Sequence, residues 1–369
     1  MSNQNRGSRH GGARRSDDPV RRRRRFSSAA GVLALLVVLA VDPAMAQFSD
    51  VSRTVSRRGT TAAEFLTIPV GARQTAMGGA VTAVVDDGTS IYWNPAGLAS
   101  LETTSLTAEH ADWLAGISFN YFSVVMPTDM GVFGFAVSGM RTEEMDVTTV
   151  EMQNGTGETF TASSYAYHLS YGRSLTDRFS FGGSAKVISE KIWNSGATGV
   201  GFDVGTMFVT PFSGVRLGAA ITNFGSKMRM GGDELLIVVD IDPNARGNNE
   251  SNRAYLKTDS FDLPLIMRIG LSGEVFQSND SRLTVAVDAL NPNNSEQFVN
   301  VGAEVALLGE LVQIRGGYSE LLLTNALRSF TLGAGLRYGF GNLNFGFDYA
   351  YEEQEFFSGV NRFSLAINL

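Results

Sequence analysis

The chain has 369 residues, a formal net charge of −7 at pH 7 and no cysteine. Without cysteine, the protein has no disulfide framework, no thiolate nucleophile and no Cys-ligated metal. An acidic chain without a basic stripe also argues against nucleic acid as a partner.

The N-terminal 46 residues are predicted to be a cleaved export signal. Arg21 to Arg25 form its positive region, Ala29 to Val41 its apolar core, and Ala44-Met45-Ala46 the small-residue cleavage site before Gln47. The apolar run has 13 residues, whereas a spanning helix needs about 20, so cleavage is favoured over an uncleaved anchor. Residues 1–46 carry nine arginines and three aspartates, so cleavage moves the net charge from −7 to −13. No later apolar run approaches spanning length, which excludes a helical membrane protein.

The glycine-rich stretch Val70–Leu98 is too irregular for strands and too rich in glycine for a continuous helix. Met77-Gly78-Gly79-Ala80 is a small-residue turn, and Asp86-Asp87-Gly88 interrupts the apolar run that follows it. Asn94-Pro95 can start one helical turn, because Asn is a good N-cap and Pro is favoured in the first helical position. We therefore predict that residues 47–104 form a compact plug whose backbone groups are satisfied inside a larger structure.

From residue 105 onward the chain alternates large apolar residues with Gly, polar or charged residues. Phe345, Phe347 and Tyr349, for example, lie on the face opposite to Gly346 and Asp348. This period of two is typical of outer-membrane barrels. A soluble β-sandwich alternates too, but its apolar face turns inward and its turns are short at both ends. The predicted strands are 105–111, 116–126, 131–140, 163–174, 178–190, 198–209, 214–224, 263–275, 281–289, 298–308, 311–318, 328–338, 342–352 and 360–369.

The connections between these strands alternate in length. Tight turns follow even-numbered strands, and the long connections 141–162, 225–262 and 319–328 follow odd-numbered ones. An even strand number with short periplasmic turns and long outer loops matches single-chain bacterial barrels. The predicted fold class is all-β: a transmembrane antiparallel β-barrel of about 14 strands over residues 105–369, with an N-terminal plug or hatch in its lumen.

Charged residues on the polar faces of the C-terminal strands are predicted to face the lumen, since each would be costly in lipid. They are Arg268, Asp288, Glu304, Arg315, Arg337, Asp348 and Arg362. Both signs are present, so the side chains can pair across the lumen and with the plug. We favour a structural ion-pair network over a selectivity filter.

Two patterns invite a catalytic or a metal hypothesis. His168 and Ser170 lie at i, i+2 on one strand, similar to the His-Ser pair of some outer-membrane lipid hydrolases. Leu169 and its aromatic neighbours, however, are predicted to face the lipid, so that His168 and Ser170 would face the lumen. Asp86 and Asp87 supply two carboxylates, short of the roughly six to eight oxygens that calcium takes, so a turn is favoured. We expect no enzyme activity, no metal and no cofactor.

The plug motifs resemble those of a known family, the PorV/PorQ outer-membrane proteins. The segments that carry the resemblance are Gly71-Ala72-Arg73, Met77-Gly78-Gly79-Ala80, Asp86-Asp87, Tyr92-Trp93-Asn94-Pro95-Ala96-Gly97-Leu98, Glu109-His110-Ala111-Asp112-Trp113-Leu114, Val299-Asn300-Val301-Gly302-Ala303-Glu304 and Asn361-Arg362-Phe363-Ser364-Leu365. The Asn-Pro-Ala-Gly element is shared with the wider FadL-like group, which are 14-stranded barrels with an N-terminal hatch.

The resemblance implies a protein of the bacterial outer membrane, surrounded by outer-membrane lipid, with one of two jobs. PorV-like proteins of type IX secretion engage secreted proteins by their C-terminal sorting domains and work with other secretion components. FadL-like relatives pass hydrophobic small molecules, using a hatch that shifts. The export role is the first hypothesis and the channel for a hydrophobic ligand is the alternative.

The resemblance also implies which residues act. The hatch residues are Gly71, Arg73, Gly78, Gly79, Asp86, Asp87, Trp93, Asn94, Pro95 and Gly97. The long loops 141–162 and 225–262 would be the surface that meets a partner or a ligand. The second loop contains the apolar run Leu235–Val239, for which contact with the barrel rim is favoured over contact with a partner or a ligand.

Overall fold

The computed structural model describes residues 57–212, 214–244, 247 and 251–369. The predicted export signal and the first ten residues of the predicted plug lie outside the described residues. The strands β1 to β14 are Ser105–Asp112, Ser118–Thr128, Gly131–Arg141, Ala162–Thr176, Phe179–Ile192, Ser195–Val209, Arg216–Gly225, Ile266–Gln277, Ser281–Pro292, Phe298–Leu307, Val312–Leu321, Arg328–Phe340, Leu343–Gln354 and Val360–Asn368. The predicted number of strands is confirmed, and most boundaries agree within about three residues.

Each strand pairs antiparallel with its neighbours in sequence, and β1 pairs with β14, which closes the sheet into a barrel. The closing register runs from Ser105 opposite Asn368 to Asp112 opposite Asn361. Closure leaves no strand edge, so the backbone donors and acceptors of β1 and β14 are paired like those of the other strands.

The alternation of apolar and polar residues in the sequence corresponds to the outer and inner faces of the barrel. Along β4, Leu169 is 65 % exposed on the outer face, whereas Ala166 and His168 are buried on the inner face. The outer face carries a broad surface of exposed Phe, Leu, Ile, Val and Tyr side chains. Glycines and polar or charged residues point into the lumen, where the plug covers them.

The two ends of the barrel differ in the length of their connections. We call the end that carries the turns after even-numbered strands the short-turn rim, and the other end the long-loop rim. At the long-loop rim, residues 142–161 contain the small hairpin of Met145–Asp146 with Thr159–Phe160. Residues 226–265 contain the hairpin of Leu236–Val239 with Asn252–Tyr255.

The described part of the segment before β1 lies inside the barrel; we refer to residues 57–104 as the plug. It contains the helices α1 (Ala72–Ala76) and α2 (Ser90–Trp93), each a little over one turn long. The 3₁₀ turns Glu64–Thr67 and Pro95–Ser100 flank them. Glycine at position 71 permits the φ of 91° from which the chain enters α1.

The hydrophobic core lies between the plug and the inner face of the barrel. Met77, Ile91 and Leu98 of the plug are fully buried and belong to the same cluster as Phe119 and Tyr121 of β2. Plug and barrel therefore share one core. Among the described residues, no helix has the length and apolar character needed to cross a membrane.

Candidate functional site

The Asn94-Pro95 turn of the plug rests directly on the barrel wall. The Asn94 side chain accepts a hydrogen bond from Ala96 N at 3.1 Å, and its amide donates to the carbonyl oxygens of Thr82 at 2.8 Å and Thr206 at 3.1 Å. A Cβ added to Gly205 on β6 would lie 2.0 Å from the Asn94 carbonyl oxygen. Asn94 is thus an N-cap that also holds the plug against β6.

Glycines on other strands admit the plug in the same way. At each of them, an added Cβ would lie within 3 Å of a plug atom. With Gly205 they are Gly134, Gly172, Gly182, Gly218, Gly270, Gly302, Gly317 and Gly333, on β3 to β8 and β10 to β12. Glycine inside a strand often marks a bend or a close approach, and Gly182 and Gly317 are points of close approach.

Asp288 on β9 holds the turn that follows Ala80. Its carboxylate accepts hydrogen bonds from Val81 N at 2.9 Å, Thr82 N at 2.8 Å and the Thr82 hydroxyl at 2.6 Å. The predicted lumen charge therefore satisfies plug backbone donors, which is one way to hold a carboxylate in a buried place.

Helix α1 is also held by charges. Arg73 donates to Glu304 on β10 at 3.0 Å and to Asp86 at 2.6 Å. Burial alone would lower the pKa of Arg73, but the carboxylates of Asp86, Glu304 and Asp87 raise it well above its ordinary value. Gln74 next to it donates to Asp87 at 2.7 Å, so both aspartates of the predicted turn bind α1.

Glu304 is the centre of this network, which we call the Glu304 cluster. Besides Arg73, it accepts from Arg315 at 2.7 Å and from Arg282 at 3.1 Å. Arg315 continues to Asp348 at 2.6 Å, and Asp348 binds Arg337 at 2.8 Å. The Glu304 cluster thus joins α1 to five strands, β9 to β13, and contains four of the predicted lumen charges.

A second network surrounds Arg362 on β14, whose side chain is fully buried. It donates to Glu109 at 3.1 Å and to the carbonyl oxygen of Pro69 at 2.8 Å, and it lies 5.1 Å from the centre of the Trp113 ring. Glu109 in turn accepts a hydrogen bond from Gly71 N. This network fixes the chain just before α1.

The sequence interpretation missed a buried pair on the other side of the barrel. Lys186 on β5 lies 2.8 Å from Asp203 on β6, and it donates to Asn223 at 2.6 Å. Both charged residues occupy polar positions in the alternation of their strands. The argument used for the C-terminal strands would therefore have found them.

Arg268 on β8 differs from the other predicted lumen charges. Only 3 % exposed, it donates from Nη1 to the Thr222 hydroxyl at 2.7 Å and lies 5.4 Å from the centre of the Trp93 ring. Among the described residues, no carboxylate oxygen lies within 4.0 Å of its guanidinium nitrogens. The expected pairing of lumen charges is therefore not seen at Arg268 within this distance, and Asp288 binds the plug.

Two cavities lie on opposite sides of α1. The long-loop cavity, of about 300 Å³, is bordered by Thr75, Gly78, Gly79 and Trp93 of the plug and by residues of β8 to β13. The short-turn cavity, of about 510 Å³, is bordered by Gly71, Arg73 and Gln74 and by residues of β1 and β9 to β14. Among the described residues, none from β2 to β7 borders either one. The part of the plug that borders the two cavities includes α1, the turn after it and residues of the segment 86–93.

Comparison with known protein families identifies the family of this chain. Residues 40–291 match the profile of an uncharacterised protein family, UPF0164. The chain belongs to the UPF0164 family. No curated protein matches its sequence. The matched part of the UPF0164 chain includes the whole plug and β1 to β8, together with all but the last residue of β9.

Solved structures show the fold of this UPF0164 protein in other barrels. The Pseudomonas putida toluene transporter TodX has 12 % sequence identity and a TM-score of 0.50; the alignment covers 81 % of this chain and 97 % of TodX. CymD, a monoaromatic hydrocarbon channel, has 14 % identity and a TM-score of 0.51, with 82 % of this chain and 97 % of CymD covered. At these identities the likeness establishes the fold: a 14-stranded barrel of the FadL-like kind.

The two residues of the catalytic hypothesis have different hydrogen-bond partners in the UPF0164 chain. His168 pairs with the Ser138 hydroxyl at 3.2 Å, and Ser170 donates to Ser184 at 2.8 Å. Both are buried on the inner face, as predicted from the tyrosines and Leu169 around them. The hydroxyl of Ser170 therefore has a serine rather than a histidine as its partner.

The apolar run in the second long loop projects from the barrel. Leu236, Val238 and Val239 are exposed, Val238 by 67 %. They form a two-stranded hairpin of their own rather than packing against the rim. The expected contact with the rim is thus limited, and the hairpin leaves an apolar surface open.

Proposed function

We propose that this chain is an outer-membrane channel of the FadL-like kind that admits a small, partly apolar solute. The observation that supports this most directly is the pair of cavities on one half of the lumen, with a part of the plug that includes α1 and its following turn between them. A solute entering at the long-loop rim would have to displace this one partition to reach the short-turn cavity.

The proposed location rests on the two faces of the barrel. Exposed large apolar side chains cover the outside, while charges of both signs turn inward. A charged residue on a lipid-facing strand would cost about 2–4 kcal/mol at the middle of a bilayer. An export signal at residues 1–46, as predicted from the sequence, would bring the chain to that membrane.

The size and lining of the long-loop cavity support a small solute. Its volume of about 300 Å³ is at the lower end of the roughly 300–1,000 Å³ typical of ligand pockets. Ile266, Leu290 and Phe298 give it an apolar side. TodX and CymD, which share the fold, are named as a transporter of toluene and a channel for monoaromatic hydrocarbons.

A disulfide that locks α1 tests this proposal. The chain has no native cysteine, and Ala72 N lies 2.8 Å from the Ser364 hydroxyl, so Ala72→Cys with Ser364→Cys introduces one bond between α1 and β14. In liposomes containing the purified protein, uptake of a small aromatic solute should fall when the bond forms and recover on reduction.

A matched tether provides the control. Gly134→Cys with Ile91→Cys fixes α2 to β3, because the Ile91 side chain lies 2.7 Å from the position of a Cβ at Gly134. This tether leaves α1 free and should not change uptake. Equal uptake in the oxidised and reduced α1 tether would contradict passage past α1.

Surface-protein export of the PorV/PorQ type is a second candidate, favoured by the exposed apolar hairpin. Leu236–Val239 and Asn252–Tyr255 present apolar side chains on the long-loop rim, where a secreted C-terminal domain would arrive. We propose to isolate the intact barrel from native outer membrane and identify the proteins bound to it. Deletion of residues 226–262 should release such partners; if none binds, or the deletion retains all of them, this role is abandoned.

We also propose that the protein acts without covalent chemistry. His168 and Ser170 are buried and bind different partners, which leaves neither positioned on a substrate lipid. Phospholipid hydrolysis by the purified protein, abolished in Ser170→Ala, would refute this proposal.

A further inference from the structure

Arg268 is a buried positive charge with no carboxylate oxygen within 4.0 Å among the described residues, and Asp288 and Asp203 act on it only from a greater distance. Six other arginines of the lumen each lie within 4 Å of a carboxylate: Arg73, Arg282, Arg315, Arg328, Arg337 and Arg362. Arg268 has instead one hydrogen bond to Thr222 and the face of Trp93. A buried ion normally requires a partner of opposite charge, so Arg268 is the place where an anion from outside would be stabilised.

Arg268 borders the long-loop cavity. Two of the three acidic residues of that cavity are paired with arginines, and the third is hydrogen-bonded to a neutral side chain. Glu320 binds Arg328 at 2.9 Å, Glu352 lies 3.6 Å from Arg362, and Glu64 accepts from Asn294 at 2.8 Å. An anion at Arg268 would therefore meet a guanidinium that no acidic group of the described cavity wall neutralises.

The surroundings of Arg268 favour a planar anion with an apolar body. Its guanidinium lies over the Trp93 ring, which leaves the edge of the fork to bind a second group, and this edge suits the geometry of a carboxylate. Ile266, Leu290 and Phe298 form the apolar cluster on the same side of the cavity. The cavity volume of about 300 Å³ limits the ligand to a compact molecule.

We propose that the long-loop cavity binds a compact aromatic carboxylate, with its carboxylate on Arg268 and its ring among the apolar side chains. The proposal rests on the channel function above and names its solute class. A neutral hydrocarbon would fill the apolar side but leave Arg268 unpaired. The short-turn cavity beyond α1 is lined by paired charges of both signs, so it adds no preference for an anion.

Calorimetric titration of the purified barrel in nonionic detergent tests this inference, with benzoate as the anionic probe and benzyl alcohol as the neutral one. Benzoate should bind more tightly than benzyl alcohol. In Arg268→Gln the affinity for benzoate should fall about tenfold to a hundredfold, the effect of losing a hydrogen-bonded charge. Arg268→Lys should recover part of it, and benzyl alcohol should bind all variants alike, which shows that the cavity is intact.

Arg337→Gln is the matched control, because Arg337 lies at the short-turn cavity and Asp348 keeps Arg315 as its partner. It should leave the binding of benzoate unchanged. If Arg268→Gln binds benzoate as the natural protein does, or benzyl alcohol binds as tightly as benzoate, the anion site is refuted while the channel proposal stands. If neither probe binds and uptake is absent as well, the channel proposal fails together with it.

Discussion

The two sides of the plug differ in the contacts that attach them to the barrel. On the side of β3 to β7 the plug backbone lies against glycines, and among the described residues these strands border neither of the two cavities beside α1. On the side of β9 to β14, glycines of β10 to β12 also contact α1 and its following turn, but α1 is held by ion pairs as well and has a cavity on each side. Close packing leaves no space into which the plug can move. Ion pairs beside a cavity can exchange their partners for water or for a charged solute, so movement is expected at α1.

The largest effect is expected from breaking the Glu304 cluster. Glu304→Gln leaves Arg73, Arg315 and Arg282 around a neutral side chain, and breaking a buried ion pair costs roughly 3–5 kcal/mol. Denaturant unfolding should show the loss of stability, and ion conductance across a planar bilayer should rise because α1 is released. Glu310→Gln is the control, since the Glu310 side chain is exposed and its carboxylate pairs with Arg282 outside the centre of the cluster. Unchanged conductance in Glu304→Gln would mean that charges do not hold the partition.

A smaller effect is expected from one methyl group on the packed side. In Gly182→Ala the new Cβ would lie 2.3 Å from the Pro95 carbonyl group, and overpacking of this kind costs about 1–3 kcal/mol. Gly183→Ala, on the other face of the same strand, has its nearest atom at 3.6 Å and should be neutral. Equal unfolding midpoints for the two variants would show that the plug does not rest on β5.

The smallest of the three effects is expected at Asn94. Asn94→Ala removes the cap of the Pro95–Ser100 turn and the bonds to Thr82 and Thr206. Loss of an N-cap costs roughly 0.5–2 kcal/mol. Because the glycines around it still hold the plug, unfolding should shift while the bilayer conductance stays that of the natural protein. A conductance increase as large as in Glu304→Gln would remove the distinction between the two sides.

The strands were predictable because lipid and lumen impose a period of two that the sequence repeats 14 times. One ion pair was predictable in principle, since Glu304 lies directly opposite Arg315 in the register of β10 and β11. The contact of Arg73 with Glu304 joins residues 231 positions apart and depends on where the plug sits, which no local pattern records. The short helices α1 and α2 were hidden by the glycines around them.

For Arg268 the sequence predicts the position in the lumen but not the absence of an ion-pair partner among the described residues. Its place on a polar strand face was predicted, and it lies in the lumen. The alternation pattern around it, however, does not distinguish it from Arg315 or Arg362. Only the closed barrel reveals that Asp288 is taken by Val81 and Thr82 and that Arg268 faces Trp93. Strand position predicts which charges lie inside, and three-dimensional packing decides which of them find a partner.

The contacts of β14 with the plug also constrain how the molecule is assembled. Arg362 binds the carbonyl oxygen of Pro69, and Ser364 accepts from Ala72 N, although these pairs are separated by more than 290 positions in the chain. The barrel strand farthest along the chain from the plug thus supplies part of the site that holds it. Contacts between distant positions are slow to form because of the entropy of closing the loop, so we expect the plug to reach its final position only when β14 meets β1. Before closure, an open sheet would hold the plug loosely. Pairing of β1 with β14 would then close the barrel and fix the plug in the same step.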